Sequence, residues 1–193
     1  MQSGEEFFKF AKDKFALVSF FFFFFIITYF IAKEFGLANA LKTNGAILFL
    51  PAGVRLLACL VGREWGAFGV FLGSFLVVVP TTFPNETNAF HLMIASISTT
   101  SVYLSVVISL SFLKVSNDLS NLKFIHLPFI DLIATFSQAF FFILILYMAN
   151  HLDESELLPR FITQMTGNFL GGMVFLLSFL VLVNVLNRSN TIR

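Results

Sequence analysis

The amino-acid sequence predicts an all-α fold: a polytopic transmembrane bundle of about six helices with both termini cytoplasmic. Three observations carry that expectation. Of 193 residues, 58% are hydrophobic and only 12% are charged, about half the charged share of a soluble domain, and the mean hydropathy is +0.88. The apolar residues gather into runs close to the roughly 20 residues that cross a bilayer as a helix. Lys and Arg stand mainly at the ends of those runs.

The first run, 15–32, follows a charged start (Glu5, Glu6, Lys9, Lys12, Asp13, Lys14) and contains the unbroken Phe20 to Phe25. It exceeds a signal-peptide core and lacks a small-x-small cleavage site, so it reads as a retained helix. Phe supplies 29 residues in all, which is one way of being apolar at the bilayer centre rather than an aromatic binding box. Further spans are expected at 46–61, 65–83, 89–115, 127–150 and 161–186. Their connections (33–44, 62–64, 84–88, 116–126, 151–160) are too short to hold a soluble domain, so residues 1–193 form one transmembrane domain. Alternating sides place Lys9, Lys12, Lys14, Arg63, Lys114, Lys123, Arg188 and Arg193 together, against Lys33, Lys42 and Arg160. That excess puts the first set, and both termini, in the cytoplasm.

Several function classes fall away. A net charge of +1, with the basic residues dispersed, offers no field for nucleic acid. The lone Cys59 excludes an intrachain disulfide. His91, His126 and His151 lack ligand spacing, so no metal is expected; a surface site from His91 and His151 with Glu86, Asp153 and Glu154 is the minor alternative. GxSxG, HExxH, P-loop and GxGxxG motifs are all missing, and neither catalytic residues nor a cofactor are expected. The sequon Asn85-Glu86-Thr87 lies in a loop too short to stand clear of the bilayer and carries no functional weight.

Small residues mark helix contacts, because in lipid the backbones must approach closely to gain dispersion energy. Gly62 and Gly66, Gly69 and Gly73, and Gly167 and Gly171 have small-xxx-small spacing, and Ser98, Ser101, Ser105 and Ser109 share one face of their helix.

The polar interior begins with Arg55, which helical spacing puts beside Pro51, Ala52, Ala58, Cys59 and Gly62, opposite a greasy Leu50, Val54, Leu57 and Val61 face. Its depth is roughly 12 Å from the Arg63 border, where an unpartnered charge costs about 3 kcal/mol or more. Asp131 shares a face with Thr135 and Gln138 and lies in the same leaflet, so Arg55 and Asp131 are expected in contact or joined by water. Gln164, Gly167, Asn168, Gly171, Phe175 and Ser178 form another stripe, with Asn168 near the depth of Gln138. Pro51 and the glycine-rich stretches are places where backbone can loosen and line a cavity. The expected result is a polar pocket with Arg55 and Asp131 on one level and Gln138, Gln164 and Asn168 above. Two readings fit it: a site for a small polar or anionic ligand with Arg55 as the forked counter-charge, or a closed structural bridge.

Leu50-Pro51-Ala52-Gly53-Val54-Arg55, Leu60-Val61-Gly62-Arg63-Glu64-Trp65-Gly66, Phe71-Leu72-Gly73 and Gly167-Asn168-Phe169-Leu170-Gly171-Gly172 together resemble the MASE1-type membrane sensor domains. The resemblance implies a multi-helical bacterial inner-membrane module that senses small ligands, usually joined to a histidine kinase or diguanylate cyclase. Relative to that pattern, no output domain is expected here, six helices replace the usual eight, and Arg55 stands where many relatives have an uncharged residue. The implied function is a stand-alone sensor module binding a small polar or anionic ligand and acting through a membrane or cytoplasmic protein partner, with a homo-oligomer compatible. A small solute transporter or its substrate-binding subunit, and a structural subunit of a larger membrane complex, are the alternatives.

Overall fold

The computed structural model describes residues 2–35 and 48–190, with side chains placed for 11–35 and 48–181. Lys9, Lys42, Arg188 and Arg193 of the basic-residue count, and the start of the span expected at 46–61, lie outside the described side chains or residues.

Among the described residues every regular element is helical: α1 (Gln2–Glu34), α2 (Pro51–Leu57), α3 (Arg63–Gly73), α4 (Val79–Thr82), α5 (Asn88–Phe112), α6 (His126–Met148) and α7 (Glu154–Asn190). Two π-helical turns, Ala58–Gly62 and Ser74–Val78, join α2 to α3 and α3 to α4. Local chemistry explains most boundaries. Pro51 starts α2, where its missing N–H is not needed. The Thr87 hydroxyl accepts the Phe90 N–H at 3.3 Å and so caps α5. Lys114 (φ 52°) and Asn150 (φ 57°) turn the chain left-handed just past α5 and α6. Starting α7 at Glu154 corrects the boundary expected near 161. The acidic residues read there as loop, Glu154 and Glu156, suit the positive end of the helix dipole, and Pro159 is accommodated inside the helix.

Among the described residues, five helical stretches are long and apolar enough to cross a membrane: Ala11–Glu34, Pro51–Thr82, Asn88–Phe112, His126–Met148 and Glu154–Val181. The six expected spans map onto five because 46–61 and 65–83 join without a break in helical structure. Within Pro51–Thr82 the backbone nevertheless doubles back at Arg63 (φ 50°, ψ −135°). A Cβ on Gly66 would fall 2.4 Å from the Ala58 carbonyl oxygen, a residue two turns and about 12 Å away in a straight helix. The reversal returns Ala67 to the layer of Leu56, Cys59 and Leu60.

Side contacts group the loops. An Arg63 guanidinium nitrogen donates to the Asn117 carbonyl at 2.6 Å, and Lys14 lies 6.0 Å from the Trp65 ring centre, so the start of α1, the α2–α3 reversal and the α5–α6 loop share one side. On the other side His151 Nε2 is 3.2 Å from Glu86 Oε1, tying the α4–α5 loop to the α6–α7 loop. In the α5–α6 loop, Asp118 receives hydrogen bonds from the Ser116 hydroxyl (2.6 Å) and from the Ser120 hydroxyl and N–H (2.8 and 3.1 Å). The Ser116 bond, followed by those from Ser120, holds this carboxyl down at about 2.

Glycines set the closest approaches. On α3, added Cβ atoms at Gly69 and Gly73 would meet the α1 backbone at Val18 and the Phe25 ring. On α7, a Cβ at Gly171 would fall 2.4 Å from the Phe49 backbone. Here the small-xxx-small pair receives an extended peptide rather than a helix: Phe49 N–H donates to the Gly167 carbonyl at 2.9 Å. That contact anchors the non-helical Leu48–Phe49 entry and fixes where α2 begins.

Candidate functional site

Arg55 and the polar residues expected around it come together in the bundle interior. Arg55 is 6% exposed, Asp131 1%, Gln138 3% and Asn168 3%. Because α2 is anchored by Phe49 on α7 and reversed at Arg63, Arg55 points toward α6 and the second half of the α3–α4 stretch. Its guanidinium carbon lies 5.6 Å from the centre of the Phe25 ring of α1, a cation–π contact that compensates part of the desolvation.

Two cavities share Arg55 and Gln138 as walls. The larger, about 40 Å³, is lined by Arg55, Ser74, Thr82, Ser98, Gln138 and Gln164, with Phe49, Val78, Ile94 and Phe142 as apolar wall. The smaller, about 10 Å³, is bounded by Arg55, Asp131, Thr135, Gln138 and Asn168, and its size matches a single water. The expected direct contact between Arg55 and Asp131 is not formed: no ion pair joins them. Arg55 Nε and Asp131 Oδ2 are both buried without a hydrogen-bond partner. The physical reason is spacing. Asp131 is held against Gly172 of α7, where an added Cβ would sit 2.6 Å from Oδ2, while Arg55 is drawn toward Phe25. The smaller cavity lies between the two groups.

One level away, Asn168 Nδ2 donates to Gln138 Oε1, so these amides satisfy each other across α6 and α7. Thr135 turns inward, its hydroxyl donating to the Asp131 carbonyl at 2.8 Å. Gln164 lines the larger cavity only, apart from Asp131 and Asn168.

Four contributors escaped the sequence reading of the site: Phe25, Ser74, Thr82 and Ser98. Ser98 stood in the serine stripe taken as helix packing, and it faces the larger cavity. Ser74 continues the buried Ala67 and Val70 face of α3 by ordinary helical spacing, so i, i+3, i+7 counting along that helix is the signal that could have found it. Phe25 was one ring among many, with no signal to single it out. The minor metal alternative finds no support in the geometry: His91 Nε2 bonds the Phe83 carbonyl at 2.8 Å, and the described residues hold no group of three His, Cys, Asp or Glu side chains suited to a metal ion.

A multi-pass helical membrane domain with an ionisable, cavity-lined interior defines the class. The family model of MASE1 matches residues 16–190, and the chain belongs to that family of membrane-associated sensor domains. MASE1 is a sensor-domain family, not a catalytic one. No curated protein and no solved structure matches the chain.

Proposed function

We propose that this MASE1 domain binds a small anionic or polar ligand in the larger interior cavity, with Arg55 as counter-charge, and passes the event to a partner protein. The observation that carries this reading is a buried guanidinium with an unpartnered Nε at the wall of a cavity whose other polar side chains are three hydroxyls and two amides. A carboxylate or phosphate-like group complements such a donor set, since the fork of Arg donates to two oxygens at once. Ligand entry would draw Arg55 further from Asp131 and favour one arrangement of the α2–α3 reversal over another, which is the differential affinity a sensor needs. The π turns flanking α3 are the places where such a shift costs least.

The topology proposed with it counts the Pro51–Thr82 stretch as two crossings, six in all. It sets Arg63, Lys114, Lys123 and both termini in the cytoplasm of a bacterial inner membrane, supported by the basic excess on that side. The reading assigns no catalysis.

The test is thermal stability of the purified protein in detergent against inorganic phosphate, sulfate, nitrate and two- to four-carbon carboxylates. Saturable stabilisation of the wild type that Arg55→Leu abolishes supports the site. Failure of every anion to shift the wild type overturns it.

A further inference from the structure

A separate groove lies on the flank of the bundle between α3 and α5, with a volume of about 280 Å³. Glu64, Phe68 and Phe71 line it from α3, and Ser96, Thr99 and Tyr103 from α5. Phe68 is 47% exposed, so the groove is reached sideways from the lipid rather than from the Arg55 site.

Its two walls differ in chemistry. The α3 wall is aromatic: Phe68 and Phe71 stack at 6.0 Å and 22°, and beyond the groove Phe71 stacks in turn on Phe75 of the following π turn at 6.1 Å and 3°. The α5 wall carries hydroxyls, of which Thr99 is the informative one. Thr99 is 5% exposed, and its Oγ1 is buried with no hydrogen-bond partner. Elsewhere in this protein Thr28, Thr82, Thr135 and Thr163 donate to the carbonyl four residues back at 2.7–2.8 Å. Thr99 makes no such bond, and a buried donor left open in hydrocarbon calls for an acceptor.

Depth narrows the occupant. Thr99 is near the middle of α5 (Asn88–Phe112), roughly 17 Å or more from either end, beyond the reach of phospholipid head groups. The acceptor must therefore arrive on an apolar molecule dissolved in the bilayer. Glu64 at the rim disfavours an anionic amphipath such as a fatty-acid carboxylate. The stacked rings favour a flat body, since offset stacking adds to area burial.

We propose that this groove binds a neutral planar carbonyl compound of the quinone class, its ring lying on Phe71 and one carbonyl oxygen accepting the Thr99 hydroxyl. Trp65, the single tryptophan, adjoins Glu64 and is a built-in reporter. Decylubiquinone titrated into proteoliposomes of the whole chain should quench Trp65 with a saturable component above the linear background of bilayer partition. Thr99→Val keeps the shape and removes the donor, and should raise the half-saturation concentration by about tenfold. Thr99→Ser, which restores a hydroxyl, should recover it, separating a lost bond from a lost fold. A photoreactive azidoquinone should label α3 and α5 peptides. Equal saturation in wild type and Thr99→Val, purely linear quenching, or labelling confined to other helices would each overturn the proposal.

Discussion

Two buried polar pairs sit on adjacent levels of the same bundle and are treated in opposite ways. Gln138 and Asn168 close on each other, donor to acceptor, from neighbouring helices. Arg55 and Asp131, more costly to bury, each keep an open polar atom and look into a shared water-sized cavity. A satisfied pair stabilises one arrangement; an unsatisfied one leaves a free-energy gap that a ligand or a rearrangement can fill. The amide pair therefore belongs to the architecture, and the proposed function assigns the charged pair to the response.

The contrast rests on the anchor that holds α2 in place, and the largest expected effect comes from removing it. Gly171→Val puts side-chain atoms into the Phe49 backbone and should cost more than about 4 kcal/mol, seen as loss of monodisperse protein on extraction. A normally folded Gly171→Val variant would show that the Leu48–Phe49 entry does not position Arg55.

Next in size, Arg55→Leu separates an open site from a closed bridge. Breaking a formed buried pair destabilises by about 3–5 kcal/mol, whereas exchanging a charge that has no direct partner for an apolar side chain removes a desolvation cost and strands nothing. The expected outcome in reversible unfolding from mixed micelles is no loss of stability, together with loss of the anion response. A drop of the first size would make Arg55 structural.

The amide pair should behave in the reverse sense. Gln138→Leu strands the Asn168 amide and should cost about 1–3 kcal/mol, and the double change with Asn168→Leu should recover part of it. Strict additivity in that double-mutant cycle would mean the two amides are not coupled.

The smallest effect lies outside the bilayer. Hydrogen bonding holds the Asp118 carboxyl at about 2, below its ordinary value. A depressed carboxyl stabilises the loop above the unfolded value and loses that contribution as pH falls through the folded one, so local order should weaken between about pH 4 and 2. Hydrogen exchange of the Ser120 amide should show this loss in the wild type, and Asp118→Asn should flatten it. An unchanged profile in Asp118→Asn would place the acid sensitivity elsewhere.

Much of the site was legible because burial and period are local matters. A lone Arg within an apolar run must face inward, and i, i+3, i+4 counting put Asp131 with Gln138 and Gln164 with Asn168. What counting left open was the form of the Arg55–Asp131 pairing, direct or through water, and the direct contact is the form not made. Arg55 and Asp131 were matched by depth, yet depth does not reveal that Gly172 holds Asp131 aside and Phe25 draws Arg55 away. Ser74 shares the Ala67 and Val70 face and was legible in the same way, though one hydroxyl in an apolar run does not stand out, and the α7 start was misplaced because its acidic first turn reads like a loop.

By itself the sequence determined the class: enough apolar length to force helices through lipid, basic residues segregated at the helix ends, and a handful of polar side chains with nowhere to go but inward. Tertiary structure alone decided how the chain reverses at Arg63, which backbone fills the Gly167–Gly171 notch, and which buried groups meet. Those outcomes depend on close fits between residues distant in the chain, where a single Cβ is decisive, and such fits leave no mark on local periodicity.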